Sequence, residues 1–260
     1  MKIDPVSAFD DNYIWIIHND VNLNGEQDII VVDPGDAEPV IKAMKQNDWL
    51  LRAILLTHHH QDHTGGVEAL SQLGDIPVYG PAHESIRGMT HPLSEGDQLD
   101  FDDINIHLKV IDIPGHTRGH IGYYGHNALF CGDTLFAAGC GRIFEGTPEQ
   151  MFNSLEKIRA LPAETIIYCA HEYTLQNLAF AQVAEPDNRD IIERVERTQK
   201  LRAEGKPSVP STLAEELSTN PFLRSQQPIL AQNAAIFASR TLAGAVEVFS
   251  VVRGWKDSLD

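Results

Sequence analysis

The apolar run Ala53-Ile54-Leu55-Leu56 passes without a break into Thr57-His58-His59-His60-Gln61-Asp62-His63. Four apolar residues are the length of a buried strand, and one that ends in four imidazoles and a carboxylate points to a fold whose strand ends carry function. Such folds belong to the α/β class, where loops after strands collect functional side chains. Two comparable runs precede it, Tyr13-Ile14-Trp15-Ile16-Ile17 and Ile29-Ile30-Val31-Val32, closed by the turn residues Asn19-Asp20 and Asp33-Pro34-Gly35. Between Ala37 and Leu50, Val40, Ile41, Met44 and Trp49 approach helical spacing.

Further strands are expected at Ile104-Asn105-Ile106-His107-Leu108, Val110-Ile111-Asp112-Ile113, Ala128-Leu129-Phe130-Cys131 and Ile166-Ile167-Tyr168. Thr147, Pro148 and Gln150 predict a capped helix with Met151, Phe152, Leu155, Ile158 and Leu161 on one apolar stripe. Past Tyr173 helical composition takes over, as over Ile191 to Ala203. After the connector Pro207-Ser208-Val209-Pro210-Ser211, a second capping box is expected at Thr212-Leu213-Ala214-Glu215, and a last helix from about Leu242 to Trp255. The expected organisation is an α/β domain over 1–172 and a small all-helical domain over 173–260.

Charge narrows the partners. The chain has 260 residues and a formal net charge of −17, which disfavours nucleic acid and anionic membrane surfaces. Residues 1–172 hold 10 Lys and Arg against 26 Asp and Glu, whereas 173–260 hold 10 against 11, so the two parts are expected to do different work. Cys131, Cys140 and Cys169 are odd in number and form no Cys-x-x-Cys pair, which suits a reducing compartment. No signal-like N-terminus and no long apolar run stand out. A soluble, cytoplasmic, monomeric protein is expected.

In an extended stretch His58 and His60 point one way and His59 the other. A turn after His60 brings Asp62 and His63 round to a second point. Imidazole and carboxylate together are ligands for zinc, iron or manganese. Three further turns deliver one such group each: His116 in Ile113-Pro114-Gly115-His116-Thr117, Asp133 in Cys131-Gly132-Asp133-Thr134, and His171 in Tyr168-Cys169-Ala170-His171.

These motifs resemble the metallo-β-lactamase superfamily, which implies an αββα sandwich with a dinuclear metal centre. Within it the chain is similar to the glyoxalase II, or hydroxyacylglutathione hydrolase, family. That narrower resemblance is carried by Leu135-Phe136-Ala137-Ala138-Gly139-Cys140-Gly141-Arg142, Ala170-His171-Glu172-Tyr173-Thr174, Val209-Pro210-Ser211-Thr212-Leu213, Asn220-Pro221-Phe222-Leu223-Arg224 and Arg253-Gly254-Trp255-Lys256-Asp257.

The resemblance implies that His58, His60 and His116 hold one metal, that Asp62, His63 and His171 hold the other, and that Asp133 bridges them. Zinc is the first expectation; iron and manganese suit the same donors. Asp62 and Asp133 would orient a bridging hydroxide that attacks the acyl carbonyl of S-(R)-lactoylglutathione, giving D-lactate and glutathione in methylglyoxal detoxification. His59 and His120 are expected to pack or hydrogen-bond rather than ligate, and Asp33 to support the ligands from behind.

Arg142, Arg253 and Lys256 form a cationic set, Arg253 and Lys256 falling on one face of a terminal helix, and the resemblance of this ending implies that the set meets the carboxylates of glutathione. The resemblance also implies Tyr173 as a contact to the glutathione portion, with Phe144 where family members often carry Tyr. Cys140 has no paired base in the sequence and reads as structural. The rival readings are a one-iron persulfide dioxygenase, a β-lactamase, a flavin-linked redox partner, and a metal or thiol-peptide binding module without catalysis.

Overall fold

The computed structural model describes residues 1–19 and 27–259, so Asp20 of the first expected turn lies outside the described residues. The chain divides into two compact units, one of residues 1–112 with 117–132 and one of residues 113–116 with 133–260.

In the first unit, β1 (Lys2–Ala8), β2 (Asn12–His18), β3 (Gln27–Val32), α1 (Ala37–Asn47), β4 (Trp49–Leu55), α2 (Gln61–Thr64), α3 (Val67–Ser71), β5 (Val78–Pro81) and β6 (His91–Leu93) follow in order, and the six strands form one sheet in that order. β1 to β3 are antiparallel, while β3 to β6 are mutually parallel. Ile14, Ile16, Ile29, Val31 and Ile54 pack on Val40, Val67 and Leu70 of the two longer helices. The alternate residues Trp15, Ile17, Ile30 and Val32 are buried as well, so this sheet is covered on both faces.

Then come β7 (Gln98–Phe101), β8 (Ile106–Asp112), β9 (Ile121–Gly125) and β10 (Ala128–Gly132), an antiparallel series. His126 and Asn127, at φ 50° and 59°, turn β9 into β10 through a two-residue loop whose twist matches the strands. Two bonds tie this series to the end of β4: Tyr123 Oη donates to the Leu56 carbonyl at 2.7 Å, and Ile121 N to the Thr57 carbonyl at 3.0 Å. Burial, with Asp33 adding a like charge, pushes the Tyr123 phenol well above its ordinary range, so it remains a donor.

The second unit contains β11 (Leu135–Phe136), β12 (Gly139–Cys140), α4 (Pro148–Arg159), β13 (Ile166–Cys169), α5 (Thr174–Ala184), α6 (Arg189–Ala203), β14 (Ser211–Thr212), α7 (Leu213–Thr219), α8 (Pro228–Ala238) and α9 (Ala245–Asp257). Its core is aromatic, with Phe222 5.9 Å from Phe180 and 6.0 Å from Phe249, while nearer the surface Trp255 stacks on the exposed Phe237 at 4.7 Å. Arg224 of the Asn220–Arg224 motif holds Glu185 through two bonds of 2.7 and 2.9 Å.

The Thr147 capping box forms in both directions, and Met151, Phe152, Leu155 and Ile158 are buried. Six expectations are corrected. The helix expected from Ala37 closes at Asn47, with Asp48 at φ 53°, so Trp49 opens β4 instead of continuing the helical spacing. Leu161 lies past the end of α4 at Arg159 rather than on its stripe. The strand expected from Ile104 begins at Ile106, because residues 102–104 form a 3-10 turn closed by Asn105 at φ 50°; it then runs unbroken through Asp112 as β8. The box at Thr212 forms only in its Thr half, since Glu215 pairs with Arg197 instead. A short strand, β14, persists past Tyr173 by pairing with β13. The last helix starts at Ala245 rather than Leu242, after Gly244 at φ 123°.

All three cysteines are buried, which fits the structural reading of Cys140. Burial raises the Cys140 thiol although Arg253 and Lys256 act in the opposite direction, and it pushes Cys169 up to about 12. A maleimide applied at pH 8 should therefore label essentially none of them in the native protein and all three in guanidinium. Labelling of one thiol per native chain within minutes would contradict this burial.

Candidate functional site

In the first unit β4 ends at Leu55, and the next residues deliver the donors. His58 is fully buried, with its ring 4.7 Å from that of His60 and 4.1 Å from that of His63. The His59 ring stands 4.9 Å from that of His60, and its Nδ1 meets Glu84 at 2.9 Å. Asp62 and His63 lie on the one-turn helix α2, with Asp62 Oδ2 3.5 Å from His63 Nε2. His120 stacks on His58 at 4.7 Å and 20°, the packing role expected for it.

Asp33 organises this group from φ 52°, a left-handed conformation that Asp tolerates better than most residues. Its Oδ1 accepts from Thr57 N at 2.8 Å, and its Oδ2 from Thr57 Oγ1 at 2.7 Å and His63 Nδ1 at 3.0 Å. His63 therefore carries its proton on Nδ1 and its lone pair on Nε2. Thr57 Oγ1 spends its hydrogen on Asp33, so it accepts from His58 Nδ1 at 3.1 Å, and His58 is set the same way.

In the second unit β8 has ended, and Pro114-Gly115 turns the chain into His116. The His116 Nδ1 donates to the Arg142 carbonyl at 2.8 Å, again leaving the lone pair on Nε2. Asp133 follows β10 and is buried between two histidines: Oδ2 lies 3.4 Å from His116 Nε2 and Oδ1 lies 3.4 Å from His171 Nε2. The His171 ring is fixed by Tyr173, stacked at 4.8 Å and 3°, and by the edge of Phe136 at 5.7 Å. Gly141 is required here, because a Cβ at that position would stand 1.9 Å from the Asp133 carbonyl oxygen.

The donor chemistry fits a metal in both units. His63 Nε2 against Asp62 Oδ2, and His116 Nε2 against Asp133 Oδ2, are lone pairs facing carboxylate oxygens. Such acceptor pairs repel unless a cation lies against both. The donors are nitrogen and oxygen throughout, and carboxylates or carbonyls lock the histidine tautomers from outside, as in metal sites.

Of the residues expected to meet the substrate, Arg142 is exposed and Tyr173 half-buried. Arg253 and Lys256 share a face of α9 but are buried, at 4 % and 8 % exposure. The Arg253 Nη1 donates to the Cys140 carbonyl at 3.0 Å and Nη2 to Asp257 at 2.8 Å, while the guanidinium lies over Phe222 at 4.9 Å. Its buried Nε has no hydrogen-bond partner among the described residues. Phe144 is exposed and tilted against His116 at 5.1 Å.

Sequence reasoning missed three groups. Asn12 reads as a turn residue yet is buried, and it donates to Asp62. Glu84 reads as loop polarity, but its buried carboxylate binds His59, Thr117 and Gly119 N. Glu216 reads as a solvated helix charge and is fully buried. It accepts from Ala138 N at 2.8 Å, Asn220 Nδ2 at 3.0 Å and Arg194 Nη2 at 2.6 Å, while Asn220 Nδ2 also reaches the Phe136 and Gly139 carbonyls at 3.1 and 2.9 Å. The β11–β12 hairpin is thus held by a buried polar cluster.

Residues 13–171 match the metallo-beta-lactamase superfamily, and residues 172–259 match the hydroxyacylglutathione hydrolase C-terminus. A hydroxyacylglutathione hydrolase of Nitrosomonas europaea is 52% identical over 258 residues, covering 99% of this chain and 96% of that protein. The chain is also similar to the solved structure of the B3 metallo-beta-lactamase BLEG-1, with TM-score 0.60 and 26% identity over 85% of this chain and 98% of that one. A second, TTHA1623 in a di-iron-bound form, has TM-score 0.58 and 26% identity over 85% of this chain and 100% of that one. The expected fold class, a metallo-β-lactamase sandwich followed by a helical C-terminal region, is the one these matches describe. With both segments matched and half of its residues shared along nearly the whole length, the chain belongs to the hydroxyacylglutathione hydrolase family of the metallo-β-lactamase superfamily.

Proposed function

We propose that the protein hydrolyses S-(R)-lactoylglutathione to D-lactate and glutathione, using two divalent ions held by His58, His60 and His116 and by Asp62, His63 and His171, with Asp133 shared. The observation that carries this reading is Asp133, whose two oxygens each face a different histidine nitrogen at 3.4 Å, the disposition of a bridging carboxylate. Zinc is the proposed metal, and iron or manganese suit the same donors. When bound, the ions supply Lewis acidity to the thioester carbonyl and make water nucleophilic near neutral pH.

The chain's own residues orient and bind. Asp33, the Arg142 carbonyl and Tyr173 hold the histidine rings in place. Arg142, Arg253, Lys256 and Tyr173 receive the glutathione portion, whose carboxylates suit fixed cations. The unsatisfied Arg253 Nε supports this, because a buried donor without an acceptor costs about 1–3 kcal/mol that an incoming carboxylate recovers. Phe144 brings no hydroxyl, so recognition there falls to the backbone. In this reading the metal-binding part ends and the glutathione-binding part begins near residue 172, which the meeting of the two family matches at 171 and 172 supports. A monomer in the cytoplasm suits the acidic surface and the three buried thiols.

Purified protein should hydrolyse S-D-lactoylglutathione with two metal equivalents per chain. Replacing Arg253 and Lys256 together by Ala should raise KM for glutathione thioesters roughly tenfold or more, with a smaller change on a short thioester. Lys256→Ala alone serves as the milder arm. A fully metallated sample without thioesterase activity refutes the function, and equal losses on both substrates refute the substrate contacts.

A further inference from the structure

We propose that Asn12 is a positioning residue for Asp62 and, through it, for one of the two metal ions; the inference rests on the metal reading above. The element that carries Asp62 is weak by local structure. This helix, Gln61–Thr64, is a single turn without a side-chain N-cap, and one turn has little cooperativity of its own. The Asp62 side chain is 42% exposed, so solvent competes for its carboxylate.

Asn12 is the opposite kind of residue. It opens β2 directly across from Ala8 in a tight hairpin and is only 6% exposed. Its Nδ2 donates to Asp62 Oδ2 at 3.2 Å and to the Asp62 carbonyl at 3.3 Å. A carboxamide nitrogen carries two hydrogens, and here both go to one residue, one to its side chain and one to its backbone. That grip fixes the carboxylate relative to its own main chain, which a single bond does not achieve. Gly35 completes the seat: a Cβ there would stand 1.8 Å from the Asp62 carbonyl oxygen, so the Asp62 backbone rests directly on the turn. With the rotamer held, Asp62 meets an ion without first being ordered. Outer partners of metal ligands of this kind carry about 10- to 100-fold in metal affinity.

Metal-free wild type, Asn12→Ala and Asn12→Ser are titrated with Zn²⁺ against a chromophoric chelator, and the melting temperature of each metal-free protein is recorded. Serine keeps a hydroxyl but is too short to reach either oxygen. Wild type should take up two ions. Both variants should bind one of them as wild type does and the other about 10- to 100-fold more weakly, with metal-free melting temperatures near that of wild type. Two ions bound within twofold of wild-type affinity by a folded variant would overturn the inference. Equal weakening of both ions together with a lowered metal-free melting temperature would also overturn it, in favour of a purely structural role. Fewer than two ions on wild type would overturn the metal reading itself, a result seen before any variant is compared.

Discussion

Asp133→Ala should lower kcat/KM for a glutathione thioester by about 100- to 1,000-fold while the protein stays folded. Losing Lewis-acid activation removes several kcal/mol of transition-state stabilisation, and each 1.36 kcal/mol is a factor of about ten. Asp133 is buried with a histidine nitrogen 3.4 Å from each oxygen, so truncation leaves His116 and His171 without the carboxylate that would compensate cationic charge between them. Bound metal should fall below two equivalents. The Arg142 carbonyl and Tyr173 still hold the two rings, so melting should shift little by comparison. Asp133→Asn, which keeps the shape and loses the charge, should resemble alanine in activity. A variant retaining two ions and half of the wild-type rate would remove Asp133 from the proposed centre.

Glu216→Ala should be the most destabilising single substitution outside the metal ligands, by about 3–5 kcal/mol, because it strands the buried Arg194 guanidinium. For a chain of this size that is on the order of 10 °C in Tm. Burial alone works to lower the Arg194 pKa, yet Glu216, with Glu215 behind it, holds it above the ordinary arginine value, so the cation cannot escape by losing its proton. A simple buried ion pair can often be replaced by apolar residues at little cost. Here Glu216 also accepts the Ala138 N–H and the Asn220 amide. The double variant Arg194→Met, Glu216→Leu should therefore remain clearly less stable than wild type. Recovery to wild-type Tm would show that the hairpin contacts are worth little.

Local chemistry made much of the fold readable. The strands at Tyr13–Ile17 and Ile29–Val32 and the Thr147 cap depend on neighbours within a few positions, and the structure contains them. The candidate donors were readable for the same reason, each standing beside a strand end and a turn. What stayed hidden depends on distant partners. Asn12 acquires meaning from a residue 50 positions away, Glu84 from Thr117, 33 away, and Glu216 from Ala138, 78 away. No periodicity encodes such pairings, and each residue reads locally as ordinary surface polarity. Thr212 shows the converse: a good local capping pattern gave up its Glu half to Arg197, a competitor from α6.

The second compact unit has a bearing on how this family can change. The family matches divide the chain at residue 171, where one ends and the next begins, whereas the compact unit runs unbroken from Asp133 to the helical end and takes in Ile113–His116. Ala138 from the first matched segment packs with Leu178, Ala181 and Ile191 from the second, and Glu216 and Asn220 hold backbone groups at 136–139. The tail is thus no detachable cassette. Recombination that transplanted residues 172–259 onto another metallo-β-lactamase scaffold would inherit a helical bundle whose anchoring hairpin stayed behind, so new specificities in this lineage are expected to arise by substitution within the tail rather than by its exchange.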